Sequence, residues 1–391
     1  MRRRHPLNLS ENPIALLSTF SAKPPLPSPS LSRRVVVVKK VSRLPTPVSA
    51  QPPPLTLAFL YGLTSTSWYD YSPLYGFVGA LMFKPAFVIL ICSISFFTFR
   101  KLSYGDYIFT PLNYPNATQT IITDIIDDTI IGQYQDDKGV THGFIYDNKG
   151  QTFSRLNDPD AGDDLHQGTF PESISADFIL GYFTDGKNRT HGFVYDRKNQ
   201  SFATIDDPLA LGNATWAVGE SGNKIVGVYF DTGNVEHGFI YDPELKTFAT
   251  VDVPDAGKDS GQGTNFNDAS GNLIVGNFID SHGVNHGLIF DLSVGKFTII
   301  DNPTAGKSKD QGTVITDIHD SQLVGFYTDK HDLDHSFIYN LQTQSFTMLD
   351  DPKAGRSPDE GTDAYGISGS TIVGTYIDAN DATHGFIATP K

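Results

Sequence analysis

The sequence predicts an all-β fold, a six-bladed β-propeller, from a repeat, its spacing and its hydrophobic pattern. A unit recurs six times over about the last 285 residues, and each copy carries one marker histidine: His142, His191, His237, His286, His335 and His384. Consecutive markers are 49 residues apart, except for 46 between His191 and His237. The hydrophobic runs are short and separated by Asp, Asn and Gly, which is typical of strands and turns.

Each unit has room for four strands, which is the content of a propeller blade rather than of a solenoid coil. A threonine begins each unit, as Thr264 does, and a glycine such as Gly276 follows twelve positions later. In this unit the pattern predicts strands over residues 264–269, 273–279, 285–291 and 296–301. The links between them contain Gly and Asn, which accept the positive φ of hairpin turns.

The two ends of the repeat region predict how the ring closes. Residues 107–115 resemble the fourth strand of later units, such as residues 296–303, and the last unit stops after its third strand. The N-terminal strand is therefore expected to complete the last blade, because closure removes exposed sheet edges. An open array of six repeats is the alternative.

Composition divides the chain into three segments: 1–73, 74–101 and 104–391. Residues 1–100 contain 11 Lys or Arg and two acids, whereas the remainder contains 18 basic and 42 acidic residues. Residues 1–73 are rich in Pro, Ser and basic residues, which predicts a disordered extension, either a transit peptide or an unrelated upstream segment. Residues 74–101 are hydrophobic and predict an export signal or a single transmembrane helix, with a buried core segment as the alternative.

The charge of the repeat region excludes one class of partner. Nucleic-acid binding requires a positive footprint, and this region is strongly acidic. Unique Cys92 lies outside the repeats, so no intramolecular disulfide forms. The expected domain is a monomer with an unknown protein or glycan ligand.

The six marker histidines are predicted to be structural. One imidazole in every blade is expected to hydrogen-bond within or between blades, to the repeated Thr or to an Asp, since buried polar groups are paired. A metal ring is the alternative. Metal ions gather two to four ligands at one point, whereas equivalent residues of separate blades lie apart.

Acidic turns form the second repeated feature. An aspartate ends the second strand of each unit, at Asp136, Asp185, Asp231, Asp280, Asp329 and Asp378. In a propeller the loops after the second and fourth strands open on the same face, so that face is expected to be negative. Calcium is the cofactor that such oxygens would bind. Ordinary turn chemistry is the simpler interpretation, and no cofactor is predicted.

A unique site must break the symmetry of the repeat. The inner strand of each blade should line the channel, and its fourth position after the threonine carries Asp124, Asp268 and Asp317 in three units. Glu172 precedes an equivalent position, and Trp216 lies beside the shortened loop. Two carboxylates there suit acid–base hydrolysis of a glycoside or ester, and the indole suits stacking on a sugar. Solvated acids and a space-filling tryptophan are the simpler interpretation.

The repeat resembles the HAF-repeat family of probable extracellular repeat proteins. The resemblance rests on His-Gly-Phe-Ile-Tyr-Asp at His142 and His237, Asp-Asp-Pro at Asp206 and Asp350, and Ile-Val-Gly at Ile225 and Ile372. It implies an extracytoplasmic location and no site residues.

The expected function is that of a secreted or membrane-anchored, non-catalytic binding module with an acidic loop face. An organelle-targeted protein is the alternative location. An extracellular hydrolase or lyase, with its site at the channel mouth, is the alternative function.

Overall fold

The computed structural model describes residues 103–104, 107–211 and 214–391, and these residues form 25 β-strands and one short 3-10 helix, Pro208–Ala210. No helix of this part is long and apolar enough to span a membrane. The segments 1–73 and 74–101, with the predicted extension and hydrophobic anchor, lie outside the described residues.

Twenty-three of the strands form six repeats, numbered 1 to 6 along the chain. The first strands are β3 (Gln119–Ile126), β7 (Gly168–Ile174), β11 (Thr215–Ser221), β15 (Gly263–Ser270), β19 (Gly312–His319) and β23 (Gly361–Ser368). The second strands are β4 (Thr129–Gln135), β8 (Phe178–Thr184), β12 (Lys224–Phe230), β16 (Leu273–Ile279), β20 (Gln322–Thr328) and β24 (Thr371–Ile377). The third strands are β5 (Thr141–Asp147), β9 (Thr190–Asp196), β13 (Glu236–Asp242), β17 (Asn285–Asp291), β21 (Asp334–Asn340) and β25 (Thr383–Pro390). The fourth strands of repeats 1 to 5 are β6 (Thr152–Leu156), β10 (Ser201–Ile205), β14 (Thr247–Thr250), β18 (Lys296–Ile299) and β22 (Ser345–Met348).

Within a repeat the strands pair antiparallel in sequence order, as in a propeller blade. In repeat 4 the predicted second and third strands have the observed bounds, and the first and fourth differ by one or two residues. The all-β prediction is confirmed for the described residues. Turn residues with positive φ, such as Gly271 and Gly295, link the strands because glycine accepts that conformation without strain.

The first strand of every repeat contains a β-bulge. In repeat 4 the pairing with the second strand shifts between Phe266 and Asp268, which leaves Asn267 unpaired. The same shift occurs at the equivalent place in all six repeats. A bulge redirects side chains, so the third and fourth residues after the marker threonine, here called position 3 and position 4, both reach the centre of the repeat array.

The His-Gly-Phe motif builds the middle of each repeat. Phe144 is fully buried and packs over Gly132 of the neighbouring strand, where a Cβ would lie 2.8 Å from the phenyl ring. The glycine of the motif, Gly143, approaches the carbonyl oxygen of Leu156 on the fourth strand. Repeat 5 has Ser336 at that glycine position, and its hydroxyl donates to the carbonyl of Thr362 at 2.8 Å.

Apolar clusters and a parallel bridge join consecutive repeats. One buried cluster unites Val275 of repeat 4 with Ile315 of repeat 5. At the bridge between repeats 3 and 4, Gly263 has φ 134°, and a Cβ would lie 2.0 Å from the carbonyl oxygen of Glu236. Ala214 takes this place where repeat 3 follows the shortened loop. These junctions fix the spacing of neighbouring inner strands.

Two strands precede repeat 1. Strand β2 (Tyr107–Pro111) pairs antiparallel with β25, and strand β1 (Ser103–Tyr104) pairs in parallel with β22. Ile122 of repeat 1 belongs to one buried cluster with Val373 of repeat 6. The first and last repeats are therefore in contact.

Candidate functional site

A small cavity lies where the six first strands meet. It encloses about 30 Å³, which is room for about two water molecules. All six position 3 residues line it, and so do four position 4 residues with Trp216 and Asn265. The lining residues at positions 3 and 4 are Thr123, Glu172, Val218, Asn267, Thr316, Tyr365, Asp124, Ser173, Asp268 and Asp317. This central cavity carries four carboxyl groups and no Lys, Arg or His.

Backbone N–H groups of neighbouring repeats hold two of these carboxylates. Asp124 accepts hydrogen bonds from the N–H groups of Ile125 (2.6 Å) and of Ile174 in repeat 2 (2.7 Å). In the same way, Asp317 accepts from the N–H groups of Ile318 and of Ile367 in repeat 6, the latter at 2.6 Å. Each carboxylate thus ties its own inner strand to the next one.

Asp268 joins the other members of the cluster. The Ser173 hydroxyl donates to Oδ1 of Asp268 at 3.4 Å, across from repeat 2 to repeat 4. Asp268 and Asp317 line the same cavity within side-chain hydrogen-bonding reach of each other, and a hydrogen bond between two carboxyls requires a proton on one of them.

Burial shifts the titration of all these acids upward. Desolvation raises the pKa of Asp124 and of Asp268 well above the usual range, and the charge of Asp317 raises both further. Desolvation also raises the pKa of Asp317, while its hydrogen bond from Asp268 and the N–H of Ile367 lower it. Because a backbone N–H group donates to each oxygen of Asp317, its charged form is favoured, and the shared proton is assigned to Asp268.

Glu172 is the fourth carboxyl of the central cavity. Its side chain is partly buried, and the surface it keeps lines the cavity. The carboxyl accepts no hydrogen bond within the described residues, and burial alone raises the pKa of Glu172 to about 8. A carboxyl without donors is held neutral by desolvation.

Trp216 closes one side of the central cavity as part of an aromatic stack. Its ring stacks on Tyr182 with centroids 4.8 Å apart, and Tyr182 stacks on Phe170 at 4.6 Å. The edge of Phe230 contacts the indole at 4.8 Å. The indole N–H is buried without a hydrogen-bond partner, as is the Thr123 hydroxyl. One face of the indole is thus covered by protein.

The marker histidines lie away from this cavity, on the face formed by the loops after the second and fourth strands. In four repeats the imidazole Nδ1 contacts an aspartate fifteen residues later, as His286 contacts Asp301 at 2.8 Å. Repeat 1 has Asn157 at this place, and repeat 6 uses Asn113 from the N-terminal segment. Nε2 lies 3.2–3.9 Å from the aspartate that ends the second strand.

Each histidine ring also stacks on an aromatic ring of the second strand, such as Phe278 under His286. This loop face therefore carries six copies of one arrangement, an imidazole between two acidic or amide side chains. The Asp301 hydrogen bond raises the pKa of His286.

The turn aspartates of the loop face are engaged by the backbone. Oδ1 of Asp280 accepts from the N–H groups of His282 and Val284 at 2.8 and 2.9 Å, and the other repeats share this pattern. In repeat 6, the N–H groups of Asn380 and Ala382 lower the pKa of Asp378 to about 2. These are the turn and capping contacts of aspartate.

Repeat 2 carries a wide concavity on the loop face, of about 550 Å³, called here the repeat-2 pocket. Its polar lining comprises Asp160, Asp185, Lys187, Arg189, His191, Thr204 and Asp206. The Arg189 guanidinium donates to Oδ2 of Asp185 through Nε (2.9 Å) and Nη2 (2.6 Å). At the position of Arg189, the other repeats have Val140, Val235, Val284, Leu333 and Ala382.

No group of three or more His, Cys, Asp or Glu within residues 107–211 and 214–391 is arranged to hold a metal ion. At the centre, both carboxylate oxygens of Asp124 and of Asp317 face backbone N–H groups instead.

The structure brings all five sequence-predicted site residues, Trp216, Glu172, Asp124, Asp268 and Asp317, to the one central cavity. Sequence reasoning missed the other position 3 side chains and the repeat-2 pocket. Consecutive polar residues at positions 3 and 4 were the signal for the position 3 side chains. Arg189, at a position that is aliphatic in the other five repeats, was the signal for the repeat-2 pocket.

No family model matches the chain, and no curated protein matches it. The resemblance to the HAF-repeat family stays a prediction. Similar solved structures include an Aleuria aurantia lectin in complex with α-methyl-L-fucoside, at 13% identity, covering 72% of this chain and 97% of that one, with a TM-score of 0.45. The β-propeller domain of the Trilobed protease from Pyrococcus furiosus has 12% identity, coverage of 69% and 95%, and a TM-score of 0.42.

The oligogalacturonate lyase from Vibrio parahaemolyticus has 11% identity to this chain, coverage of 73% and 98%, and a TM-score of 0.41. Such values transfer no activity and no ligand.

Proposed function

We propose that residues 104–391 form a closed six-bladed β-propeller in which β2 is the outer strand of the sixth blade. Three observations support closure. Strand β2 pairs with β25, and Ile122 and Val373 belong to one apolar cluster. Asn113, which lies shortly after β2, hydrogen-bonds to His384, just as an Asp or Asn shortly after the fourth strand does in the other repeats. An open array would leave the edge of β25 unpaired.

Deleting residues 107–112 tests closure. The deletion removes the β2–β25 pairing, the buried Leu112 and the contact of Phe109 with Phe386. We expect the melting temperature to fall by more than about 10 °C, because an edge strand and two apolar contacts are lost together. An unchanged thermal transition would show that the ring does not depend on this strand.

The function that the geometry supports best is a non-catalytic binding module with its ligand site at the repeat-2 pocket. The observation that carries this proposal is a contrast in size. The carboxyl groups suited to acid–base chemistry surround the central cavity, whose volume of about 30 Å³ is too small for a sugar ring. The repeat-2 pocket has a volume of about 550 Å³ and lies on the open loop face. Ligand sites commonly have volumes of about 300–1,000 Å³.

The lining of the repeat-2 pocket favours a hydroxyl-rich ligand, for which we take a glycan. Lys187 and Arg189 present donors, and Asp160 and Asp206 present acceptors beside them. A hydroxyl both donates and accepts, so neighbouring hydroxyls match alternating donors and acceptors. A mixed pocket of this kind gives no advantage to polyanions or to purely apolar ligands.

A glycan-binding screen of the full-length protein, followed by a search for product, tests the proposal. We expect at least one glycan to bind without turnover, and Arg189→Val, which restores the residue of repeats 1, 3 and 4, to weaken it at least about tenfold. Lys330→Ala changes a cation on the equivalent loop of repeat 5 and should leave binding unchanged. Absence of any glycan binding, or equal effects of both variants, would contradict the site.

Product formation in the same incubation would favour the alternative, an extracellular hydrolase or lyase. The hydrogen-bonded pair of Asp268 and Asp317 is the observation in its favour, since paired carboxyls with separated pKa values suit acid–base catalysis. A catalytic role further requires that the central cavity open to the substrate, and Asp268→Asn would then abolish turnover.

A secreted or membrane-anchored location remains part of the proposal. It rests on the hydrophobic segment 74–101 and on the acidic composition of the repeats. Fractionation of cells that express the chain with a tag after Lys391 tests it, and a wholly cytosolic, full-length product would contradict it.

A further inference from the structure

The central carboxyl cluster connects four repeats without any cation. Asp268 bonds to Ser173 of repeat 2 and to Asp317 of repeat 5, and Asp317 bonds to the backbone of repeat 6. Repeats 3 and 6 have Gly219 and Gly366 at position 4. A Cβ at Gly219 would lie 2.8 Å from the backbone N of Ala269, so the chain passes directly beside the cluster there. The cluster thus links these repeats through carboxyl groups, and the lining of the central cavity contains no Lys, Arg or His.

We propose that the proton shared by Asp268 and Asp317 is a pH-operated clasp, which holds the inner strands together while it is bound and loosens them when it is released. On release, the O–H bond of the Asp268 carboxyl breaks, the proton passes to water, and two carboxylates face each other across repeats 4 and 5. The hydrogen bond between them is lost and repulsion replaces it. The inference concerns the ring itself and is independent of ligand binding at the repeat-2 pocket.

Among the titratable groups around the pair, His319 is the one whose positive charge lowers the pKa of Asp317. Strand β16 carries none. The other strands packed against β15 and β19 carry Glu220, Lys224, Tyr229, Glu236, His237, Tyr241, Asp242, His286, Asp291, His319, Tyr327, Asp363 and Tyr365. Only Tyr365 of these lines the cavity, together with Asp124 and Glu172. Lys224 is paired with Asp242, and half-exposed His319 contacts Asp320 at 3.9 Å.

The sign of the pH effect follows from the raised pKa of Asp268. The folded state keeps a proton that the unfolded chain has already lost, so stability falls as pH rises from the unfolded value toward the folded one. Each such proton changes the unfolding equilibrium constant about tenfold per pH unit.

The test is thermal unfolding of the full-length protein from about pH 5 to about pH 9. We expect the wild-type melting temperature to fall toward high pH. Asp268→Asn keeps a donor to Asp317 but has no proton to release, so its curve should fall less steeply and lie above the wild type at the alkaline end. Asp320→Asn, with a side chain 91% exposed in the next turn, is the matched control and should follow the wild type.

Two further measurements keep the proposal falsifiable if Asp268→Asn does not fold. Asp268→Ser introduces the residue that repeat 2 carries at position 4, and it should flatten the curve in the same way. Infrared spectra of the wild type should show a protonated-carboxyl band that disappears toward alkaline pH, and this band should be weaker in Asp268→Ser. A flat wild-type curve, an equally steep curve for both Asp268 variants, or the absence of that band would overturn the clasp.

Discussion

The aspartates of the central cavity have raised pKa values, whereas four turn aspartates of the loop face, Asp136, Asp185, Asp280 and Asp378, have lowered ones. The carboxyl of Asp268 is enclosed with other acids and has a raised pKa, whereas Asp378 accepts two backbone N–H bonds in an open turn and has a lowered one. The two sites also differ in symmetry. Every repeat has the turn aspartate, but only three have the central one.

This difference shows what the repeat specifies and what it leaves variable. The loop-face aspartate serves its own turn, so each repeat needs it for local folding. The central position meets five equivalents around one small cavity, and six carboxylates there would repel each other strongly. Repeats 3 and 6 have glycine at this position, and repeat 2 has Ser173. The remaining three carboxyl groups are few enough to be stabilised by shared protons and backbone N–H donors.

The strongest test of this contrast places the same new aspartate in each region. Gly366→Asp puts a Cβ 2.8 Å from the Asp124 Cα and adds a carboxyl to the cluster, so we expect a loss of at least about 3 kcal/mol of unfolding free energy. The melting temperature should fall by at least about 6 °C. Thermal denaturation followed by circular dichroism measures both.

Gly186→Asp is the matched control on the loop face, because no atom lies within 4 Å of a Cβ there. We expect its melting temperature to stay within about 2 °C of the wild type. If Gly366→Asp were equally harmless, the inner ring would be looser than its contacts indicate.

The sequence predicts the strands of the repeat well because the same hydrophobic and turn pattern occurs in all six repeats. Strand bounds in repeat 4 agree within two residues, and the position 4 side chains of four repeats line the central cavity. Strict alternation places position 3 on the opposite side. The bulge overrides it, so Asn267 and Tyr365 line the cavity beside the predicted acids.

The remaining features depend on tertiary contacts that no periodicity encodes. The central cavity has room for about two water molecules, and this size follows from how the six first strands pack. Trp216 was predicted beside the short loop, but only the structure shows Tyr182 covering one face of its ring. The repeat-2 pocket depends on Arg189 turning back to Asp185, a contact between neighbouring loop residues.

The raised pKa of Glu172 makes the stability of the central cavity depend on pH. Its pKa is about 8 in the folded protein and 4.5 in an unperturbed glutamate, so the folded state alone holds the proton between these values. Stability is therefore expected to fall as pH rises through this window, by about 1.4 kcal/mol per pH unit for this group. Glu172→Gln should remove that share and raise the melting temperature at about pH 8. Exposed Glu244→Gln is the control, and an equal gain in both variants would exclude a central origin.

The smallest expected effect belongs to a single loop-face histidine. His286→Ala removes the Asp301 hydrogen bond and the stacking on Phe278, and we expect it to cost about 1 kcal/mol, since the site is half-buried and repeated elsewhere. His282→Ala, in the turn before β17 and 83% exposed, should cost less than about 0.5 kcal/mol. Urea unfolding of both variants measures the difference.

The pH dependence of that cost shows whether the charge of His286 contributes to stability. Because the pKa of His286 is raised in the folded state, its contribution is complete below the unfolded value of 6.5 and is lost as pH rises through the folded one. The cost of His286→Ala should thus be larger at about pH 5.5 than at about pH 8.5, and an equal cost at both would assign the imidazole a packing role only. Both regions then stabilise the fold in mild acid for opposite reasons. The centre does so because its acids keep their protons, and the loop face because protonated His286 is hydrogen-bonded to Asp301.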